Sequence, residues 1–302
     1  MKTTKFLFGN AAILATLTLL AASCGSTSNT AAEINGRKIS RAELEQTVTE
    51  LADAGQTPVV DGEVDGETVR SILSALVQGA ATDQLLKEYD QEITQADRDA
   101  VKAKIAQNTD TSTYTQHLKD LIIELNAGTL ALARVVAPDA KKAAAMYDKA
   151  PGSLGVLCVR HLVVKTEAVA NEAIAKFADG TDFSKLAGEF STEPNAKESG
   201  GALGGTDNSC ITLAEYQSGF DADFTAGALL AKPGVAYGPV KSSFGYHVIY
   251  VRPFVEVAED ISKLLAKNTG ANLLTGYIAT SKIKVDSAYG VWSSARGGII
   301  TS

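Results

Sequence analysis

The stretch Phe244-Gly245-Tyr246-His247-Val248-Ile249-Tyr250-Val251 decides the fold of the central part of this 302-residue chain. From Tyr246 onward it is rich in β-branched and aromatic residues, which predicts a β-strand. Side chains two residues apart on a strand share a face. His247 therefore lies on the apolar face with Ile249 and Val251. A histidine in such a position is more often a hydrogen-bonded structural residue than a catalytic one, so this pattern alone assigns it no function.

A second histidine precedes it on another predicted strand. Leu157 to Val164 is rich in Val and Leu, and His161 lies within it. Between the two strands the sequence predicts turns at two pairs of glycines and three helices. These segments are Thr166–Ala178, Asp182–Phe190, a helix within Leu213–Leu230 that carries Phe220 and Phe224 on one face, and the turns at Gly200-Gly201 and Gly204-Gly205. The sum is a compact α+β unit of roughly 100 residues, an ordinary domain size.

The flanks of this unit are predicted to be mainly helical. Residues 32–150 show helical periodicity, and Ser40 is a strong N-cap signal with Ile39 and Leu44 on either side of it. After Pro253 we expect a helix over Ile261–Ala279, a short strand and an irregular end. His117 in the first flank is interpreted as a surface or structural residue.

The N-terminus has the pattern of an export signal. Lys2 and Lys5 precede an apolar run that ends in small residues before Cys24. This ending resembles a bacterial lipobox, so we predict a signal peptide over 1–23, a lipid on Cys24 and a flexible tether over 24–31. The alternative is a plain secretory signal with an incidental cysteine. No later stretch reaches the length of a membrane span.

Charge and cysteine count narrow the class of protein further. The net charge is −7 and no long basic run is present, which argues against a nucleic-acid partner. If Cys24 carries lipid, an even pair remains in an oxidising compartment. We therefore predict a disulfide between Cys158 and Cys210; the alternative is two free buried thiols.

The order of the motifs resembles the parvulin family of peptidyl-prolyl cis-trans isomerases. The resemblance covers about Val156–Pro253 and involves six short motifs in the right order. They are Arg160–Val164, Asp182–Ala187, Ser191–Pro194, Gly200–Gly204, Gly238–Val240 and Phe244–His247. The resemblance implies a domain over 156–253 with a small antiparallel sheet and surrounding helices.

The same resemblance implies a site. The paired histidines of the family fall on His161 and His247, and its active-site Cys or Asp falls on Glu193. The apolar proline pocket falls on Leu203, Phe220 and Phe224, with Phe244 beside it. No cofactor and no metal are implied, because rotation about the prolyl amide breaks no bond. A twisted amide has less charge separation than a planar one, so an apolar pocket favours the transition state.

The flanks are similar to those of extracytoplasmic parvulin foldases. Ala32–Ser40 resembles the opening of their chaperone domain, and Val285–Trp292 resembles their ending. This implies that 32–150 and 255–302 form one helical, chaperone-like domain into which the parvulin domain is inserted. The expected partners are unfolded or partly folded exported proteins with Xaa-Pro bonds. The oligomeric state stays open, including a homodimer formed by exchange across the split domain.

Two interpretations of the function are considered in detail, and a structural scaffold is a third, minor one. The leading one is an isomerase that acts as a foldase for exported proteins, anchored to a bacterial membrane. The alternative is a holdase that keeps the parvulin fold with little activity. Glu193, one methylene longer than the usual Asp, favours the holdase, whereas the paired histidines and the apolar pocket favour the enzyme.

Overall fold

The computed structural model describes residues 29–203 and 210–302. The predicted signal peptide, the lipidation site Cys24, most of the tether, and Gly204 and Gly205 lie outside these ranges. The folded part begins earlier than predicted, because a strand starts at Thr30 and Ala31 is fully buried. Within the described ranges, no helix has the length and apolar character needed to cross a membrane.

The described chain alternates between helices and short strands. Its strands are β1 (Thr30–Ile34), β2 (Arg37–Ser40), β3 (Val156–Leu157), β4 (Val159–Val164), β5 (Ile211–Thr212), β6 (Ala236–Ser242), β7 (Gly245–Val251), β8 (Ile283–Val285), β9 (Val291–Ser293) and β10 (Gly298–Ile300). Its helices are α1 (Arg41–Asp53), α2 (Gly66–Glu88), α3 (Gln95–Asn108), α4 (Gln116–Leu132), α5 (Ala140–Lys149), α6 (Glu167–Ala178), α7 (Phe183–Phe190), α8 (Ala196–Ser199), α9 (Leu213–Gly219), α10 (Ala222–Leu230), α11 (Phe254–Lys267) and α12 (Thr269–Thr280). A 3₁₀-helix, Pro151–Leu154, precedes β3.

The region predicted to be helical over 32–150 begins with a β-hairpin. β1 and β2 pair antiparallel through a tight turn at Asn35 and Gly36, both with positive φ. Asn-Gly is the favoured pair for such a turn, because both positions require a left-handed backbone. The helical prediction was wrong here, since the strands are short and their periodicity is weak. Ser40 then caps α1 as predicted, accepting a hydrogen bond from the backbone N–H of Glu43 at 3.0 Å.

The C-terminal segment packs on this N-terminal region. β8 pairs with β1, with Ala32 opposite Val285, which completes a sheet in the order β2-β1-β8. β9 and β10 form a hairpin against α2, where the N–H of Ile299 donates to Ser74 Oγ at 3.0 Å. The predicted irregular end is therefore a hairpin. The predicted helix over Ile261–Ala279 is in fact two helices, α11 and α12, because the backbone leaves the helical region at Asn268.

The central unit confirms the α+β prediction. β4, β7 and β6 form an antiparallel sheet in the order β4-β7-β6. α6 and α7 pack on one face of this sheet, and α10 packs on the other. The helix predicted within Leu213–Leu230 is divided into α9 and α10, because Phe220 is extended and Asp221 caps a new helix. Phe220 and Phe224 therefore do not share a helix face.

One apolar core joins the central unit to the helices around it. Leu132 and Tyr147 from the N-terminal region belong to the same buried cluster as Phe224 and Ile249. The hydroxyl of Tyr147 donates to the carbonyl of Arg252 at 3.0 Å. A disulfide joins Cys158, between β3 and β4, to Cys210, before β5, with the two Cα atoms 4.3 Å apart.

Candidate active site

Strand register brings the two histidines together. Val163 on β4 lies opposite His247 on β7, and His161 lies opposite Ile249. The histidines are thus diagonal neighbours on one face of the sheet, close enough for their side chains to meet. Their Nδ1 atoms are 3.3 Å apart, and each residue is 5% exposed.

Glu193 is held beside His161 by hydrogen bonds between its loop and β4. The N–H of Thr192 donates to the carbonyl of Val163 at 2.9 Å, and Ser191 Oγ accepts from the N–H of Val163 at 3.3 Å. This anchoring leaves Oε2 of Glu193 3.0 Å from Nε2 of His161. The hydrogen bond from His161 lowers the pKa of Glu193, against the opposing effect of burial.

Ser242 is a further member of the site that the sequence interpretation missed. Its Oγ lies 2.7 Å from Nε2 of His247 and accepts from the N–H of Phe244 at 3.0 Å. Ser242 lies on β6 opposite Gly245, just two positions along β7 from His247. A hydroxyl at this position in a predicted β6–β7 hairpin is the signal that could have identified it.

The hydrogen bonds give the site a consistent proton order. Burial, followed by the nearby His161, lowers the pKa of His247 to about 4, so this imidazole is neutral at pH 7. The ionised Glu193 can only accept, so Nε2–H of His161 donates to it. With His161 in its neutral form, its Nδ1 accepts from Nδ1–H of His247, and Nε2 of His247 accepts from the Ser242 hydroxyl. We infer these tautomers from the partners of each nitrogen.

An apolar wall adjoins this polar row. The Phe224 ring is 5.1 Å, centroid to centroid, from each imidazole, and the Phe220 ring stacks on Phe224 at 6.0 Å. Leu203 and Phe220 are partly buried against the core cluster that contains Phe224. The split between α9 and α10 therefore still brings the two phenylalanines together.

Gly201 explains how Leu203 reaches the site. Its carbonyl accepts from the N–H of His161 at 2.8 Å, and its φ is +79°. A Cβ atom at this position would collide with the carbonyl oxygen of His161. Only glycine permits this close approach, which docks the loop that carries Leu203 along β4.

Phe244 is the one predicted pocket residue with a different environment. It is 75% exposed in the turn between β6 and β7. The structure thus places it at the rim of the site rather than in the apolar wall. His117, interpreted from the sequence as a surface or structural residue, lies on α4, where its exposed imidazole has Nδ1 2.7 Å from Glu50 Oε2.

An α+β unit with two facing histidines, a neighbouring acid and an aromatic wall has the architecture expected of a parvulin-type domain. Residues 163–253 match the Rotamase family model, described as the PPIC-type PPIASE domain. The match begins two residues after His161. The likeness to this domain family therefore applies to residues 163–253 of the chain.

Curated relatives extend the similarity beyond the domain. Foldase protein PrsA of Clostridium kluyveri is 47% identical over 89 residues, which are 30% of this chain and 24% of that protein. Foldase protein PrsA of Clostridium botulinum (strain Okra) is 28% identical over 305 aligned positions, covering 85% of this chain and 88% of that protein. The crystal structure of PrsA from Bacillus subtilis is 23% identical over 82% of this chain and 90% of that chain, with a TM-score of 0.30.

These findings confirm the resemblance predicted from the sequence. The chain contains a parvulin-type peptidyl-prolyl isomerase domain. The rest of the chain is mainly helical, and the chain as a whole is similar to curated foldases. The match to the C. kluyveri protein spans only about a quarter of that relative's length, whereas the match to the C. botulinum protein spans most of it.

Proposed function

We propose that this protein is a peptidyl-prolyl cis-trans isomerase that acts as a foldase for exported proteins. The observation that carries the proposal is the contact of Phe224 with both imidazoles of the His161–His247 pair, inside a domain of the PPIC type. A proline ring bound on Phe224 and Phe220 would have its amide beside Glu193 and the histidines.

The proposed mechanism needs no covalent step. The barrier to prolyl rotation, about 18–20 kcal/mol, comes from amide resonance, which is lost when the amide twists. The wall formed by Leu203, Phe220 and Phe224 stabilises the less polar twisted amide relative to the planar one. The row from Ser242 to His161 orients Glu193, whose carboxylate faces the rotating carbonyl and discourages its planar position.

The cellular setting is also part of the proposal. The export signal pattern over 1–23 and the lipobox-like Cys24 support a lipoprotein anchored to the outside of a bacterial membrane. Its clients would be unfolded or partly folded exported proteins that contain Xaa-Pro bonds. Labelling of cells with a radioactive or clickable fatty acid should mark the wild-type chain and not Cys24→Ala; equal labelling of both would contradict the anchor.

The decisive test is isomerisation of a Xaa-Pro peptide by residues 25–302, which retain all of β1. We expect clear acceleration that falls at least tenfold in His247→Ala. His117→Ala is the matched control, since its imidazole pairs with Glu50 outside the site, and it should keep full activity. Absence of acceleration by a folded wild-type protein, across several Xaa residues, would contradict the proposal.

The holdase remains the second candidate, and one observation favours it. Glu193 is longer than the Asp of the family, and its side chain is 44% exposed. A holdase would suppress aggregation of an unfolded client without accelerating its proline-limited refolding. Gain of isomerisation on Glu193→Asp, from an inactive parent, would identify this case.

A further inference from the structure

A second concave surface lies between α3 and α4, outside the isomerase domain. Its cavity has a volume of about 340 Å³ and is lined on its apolar side by Ile105, Ile122 and Ile123. Ile123 and Tyr114 are buried, while Ile105 and Ile122 are partly exposed to the cavity. A volume of this size is in the range that takes a bound side chain or a small ligand. We call this surface the α3–α4 groove.

The charge of the α3–α4 groove is opposite to that of the chain. The chain carries a net charge of −7, yet the residues that line the groove include Lys102 and Lys119 and no Asp or Glu. Lys119 is partly buried. Of the two groove lysines, only Lys102 forms an ion pair among the described residues. The acidic partner of Lys102 within residues 29–203 and 210–302 is Asp99, one turn away on α3, with Nζ and Oδ1 4.0 Å apart.

Nearby acids on the same helices have other partners. Glu124 accepts two hydrogen bonds from Arg98, at 2.5 and 2.9 Å. Asp97 is bound by Arg134, and Asp120 accepts from Gln116. Asp120 keeps its negative charge, because its donor is a neutral amide, but it lines a separate concavity on the α2 side of α4, as Glu124 does. The α3–α4 groove itself therefore presents Lys102 and Lys119, of which Lys102 also faces Asp99.

We propose that the α3–α4 groove binds an extended segment of an unfolded polypeptide in which an apolar side chain is followed by an acidic residue. The apolar side chain fills the space between Ile105 and Ile122, and the carboxylate lies between Lys102 and Lys119. Charge complementarity selects this occupant over a neutral or basic segment. The inference rests on the proposed function, because it gives the foldase a client site apart from its proline pocket.

The experiment uses residues 25–302 and three fluorescent peptides capped at both ends. The peptides contain Leu-Leu followed by Glu, Gln or Lys, without proline, and binding is followed by fluorescence anisotropy. We expect the Glu peptide to bind about fivefold tighter than the Gln peptide at low salt, and this ratio to shrink as salt rises. Lys119→Gln should abolish the Glu-over-Gln preference.

Lys104→Gln is the matched control, since Lys104 is exposed on α3 and does not line the groove. This variant should keep the preference for the Glu peptide over the Gln peptide. Ile122→Ser should weaken the binding of all three peptides to the same extent. Equal binding of the three peptides, or an unchanged preference in Lys119→Gln, would overturn the proposal. Isomerisation of a short Xaa-Pro peptide should be the same in Lys119→Gln and wild type, so failure of this proposal is distinct from failure of the isomerase.

Discussion

On one face of the β4-β7-β6 sheet, Leu162, Val164 and Val248 pack against α6 and α7; on the other face, the same strands present His161 and His247 to α10. The first face is a closed apolar cluster. The second buries two imidazoles to the same low exposure as its apolar neighbours. Neighbouring residues on each strand lie in these two different environments, because side chains alternate between the faces of a sheet.

The difference shows how stability and function are divided within one small sheet. Apolar burial on the α6–α7 face contributes free energy directly. The buried imidazoles contribute little on balance, because their hydrogen bonds mainly replace those made to water. The histidine face is instead held by the disulfide and by the core that it shares with the N-terminal helices.

The largest expected effect on this comparison comes from the disulfide. Cys158 and Cys210 are 52 positions apart, and closing such a loop stabilises the fold by about 4 kcal/mol in the chain-entropy model. Urea unfolding of residues 25–302 should show this loss in the Cys158→Ala/Cys210→Ala double variant. The unreduced parent should titrate with no free thiol; two reactive thiols after denaturation would contradict the bridge.

Shortening one side chain on the apolar face should have the next largest effect. Leu162 is fully buried, so Leu162→Ala leaves a cavity and should lower the free energy of unfolding by about 3 kcal/mol. Isomerisation by the folded variant, measured well below its melting temperature, should stay within about twofold of wild type. A much larger drop in activity would mean that the two faces of the sheet are coupled, contrary to the division of roles described above.

Acidification tests the histidine face. The folded pKa of His247 is about 4, below the unfolded value of about 6.5, so the unfolded state binds more protons between these values. Stability should therefore fall by about 2 kcal/mol from pH 7 to pH 5 on account of this residue. Denaturant unfolding at both pH values should show that the free energy of unfolding changes less with pH in His247→Gln than in wild type. An equal change between pH 7 and pH 5 in the two proteins would contradict the burial of a neutral imidazole.

Removal of the hydroxyl behind His247 should have the smallest effect. Ser242→Ala leaves Nε2 of His247 without its hydrogen-bond donor. The lost hydrogen bond is worth about 1 kcal/mol, so we expect the rate of isomerisation to fall about fivefold because the histidine pair is less well oriented. Ser242→Thr keeps the hydroxyl and should restore activity. The ¹⁵N imidazole shifts of His247 should report the change of tautomer balance, and shifts unchanged from wild type would argue against this positioning role.

Local sequence patterns were sufficient to predict the elements that carry the main residues of the site. Alternation along β7 predicts the face of His247, and Thr166 and Asp182 mark helix starts that the structure places within one residue. The glycine pair at 200–201 predicts a tight turn, and its positive φ values bear this out. Such features depend on neighbouring residues only, so they can be read without knowledge of the fold.

Other features depend on distant partners and could not be read in this way. β1 is a strand because β8 covers its second edge, and Ile34 there pairs with Ile283. The break at Phe220 follows from Asp221 capping α10, which competes with an equally good helical pattern across the break. Ser242 joins the site only through the register of β6 on β7, which a prediction of separate strands does not supply.

The pairing of β1 with β8 has a consequence for the order in which the chain becomes complete. Because the chain is synthesised from its N-terminus, the free edge of β1 stays unpaired until β8 has been made. An unpaired strand edge can pair with a wrong partner. The β4-β7-β6 sheet, in contrast, has all its strands once Val251 has emerged. The catalytic unit is therefore complete while the unit that encloses it is still waiting for its last strand.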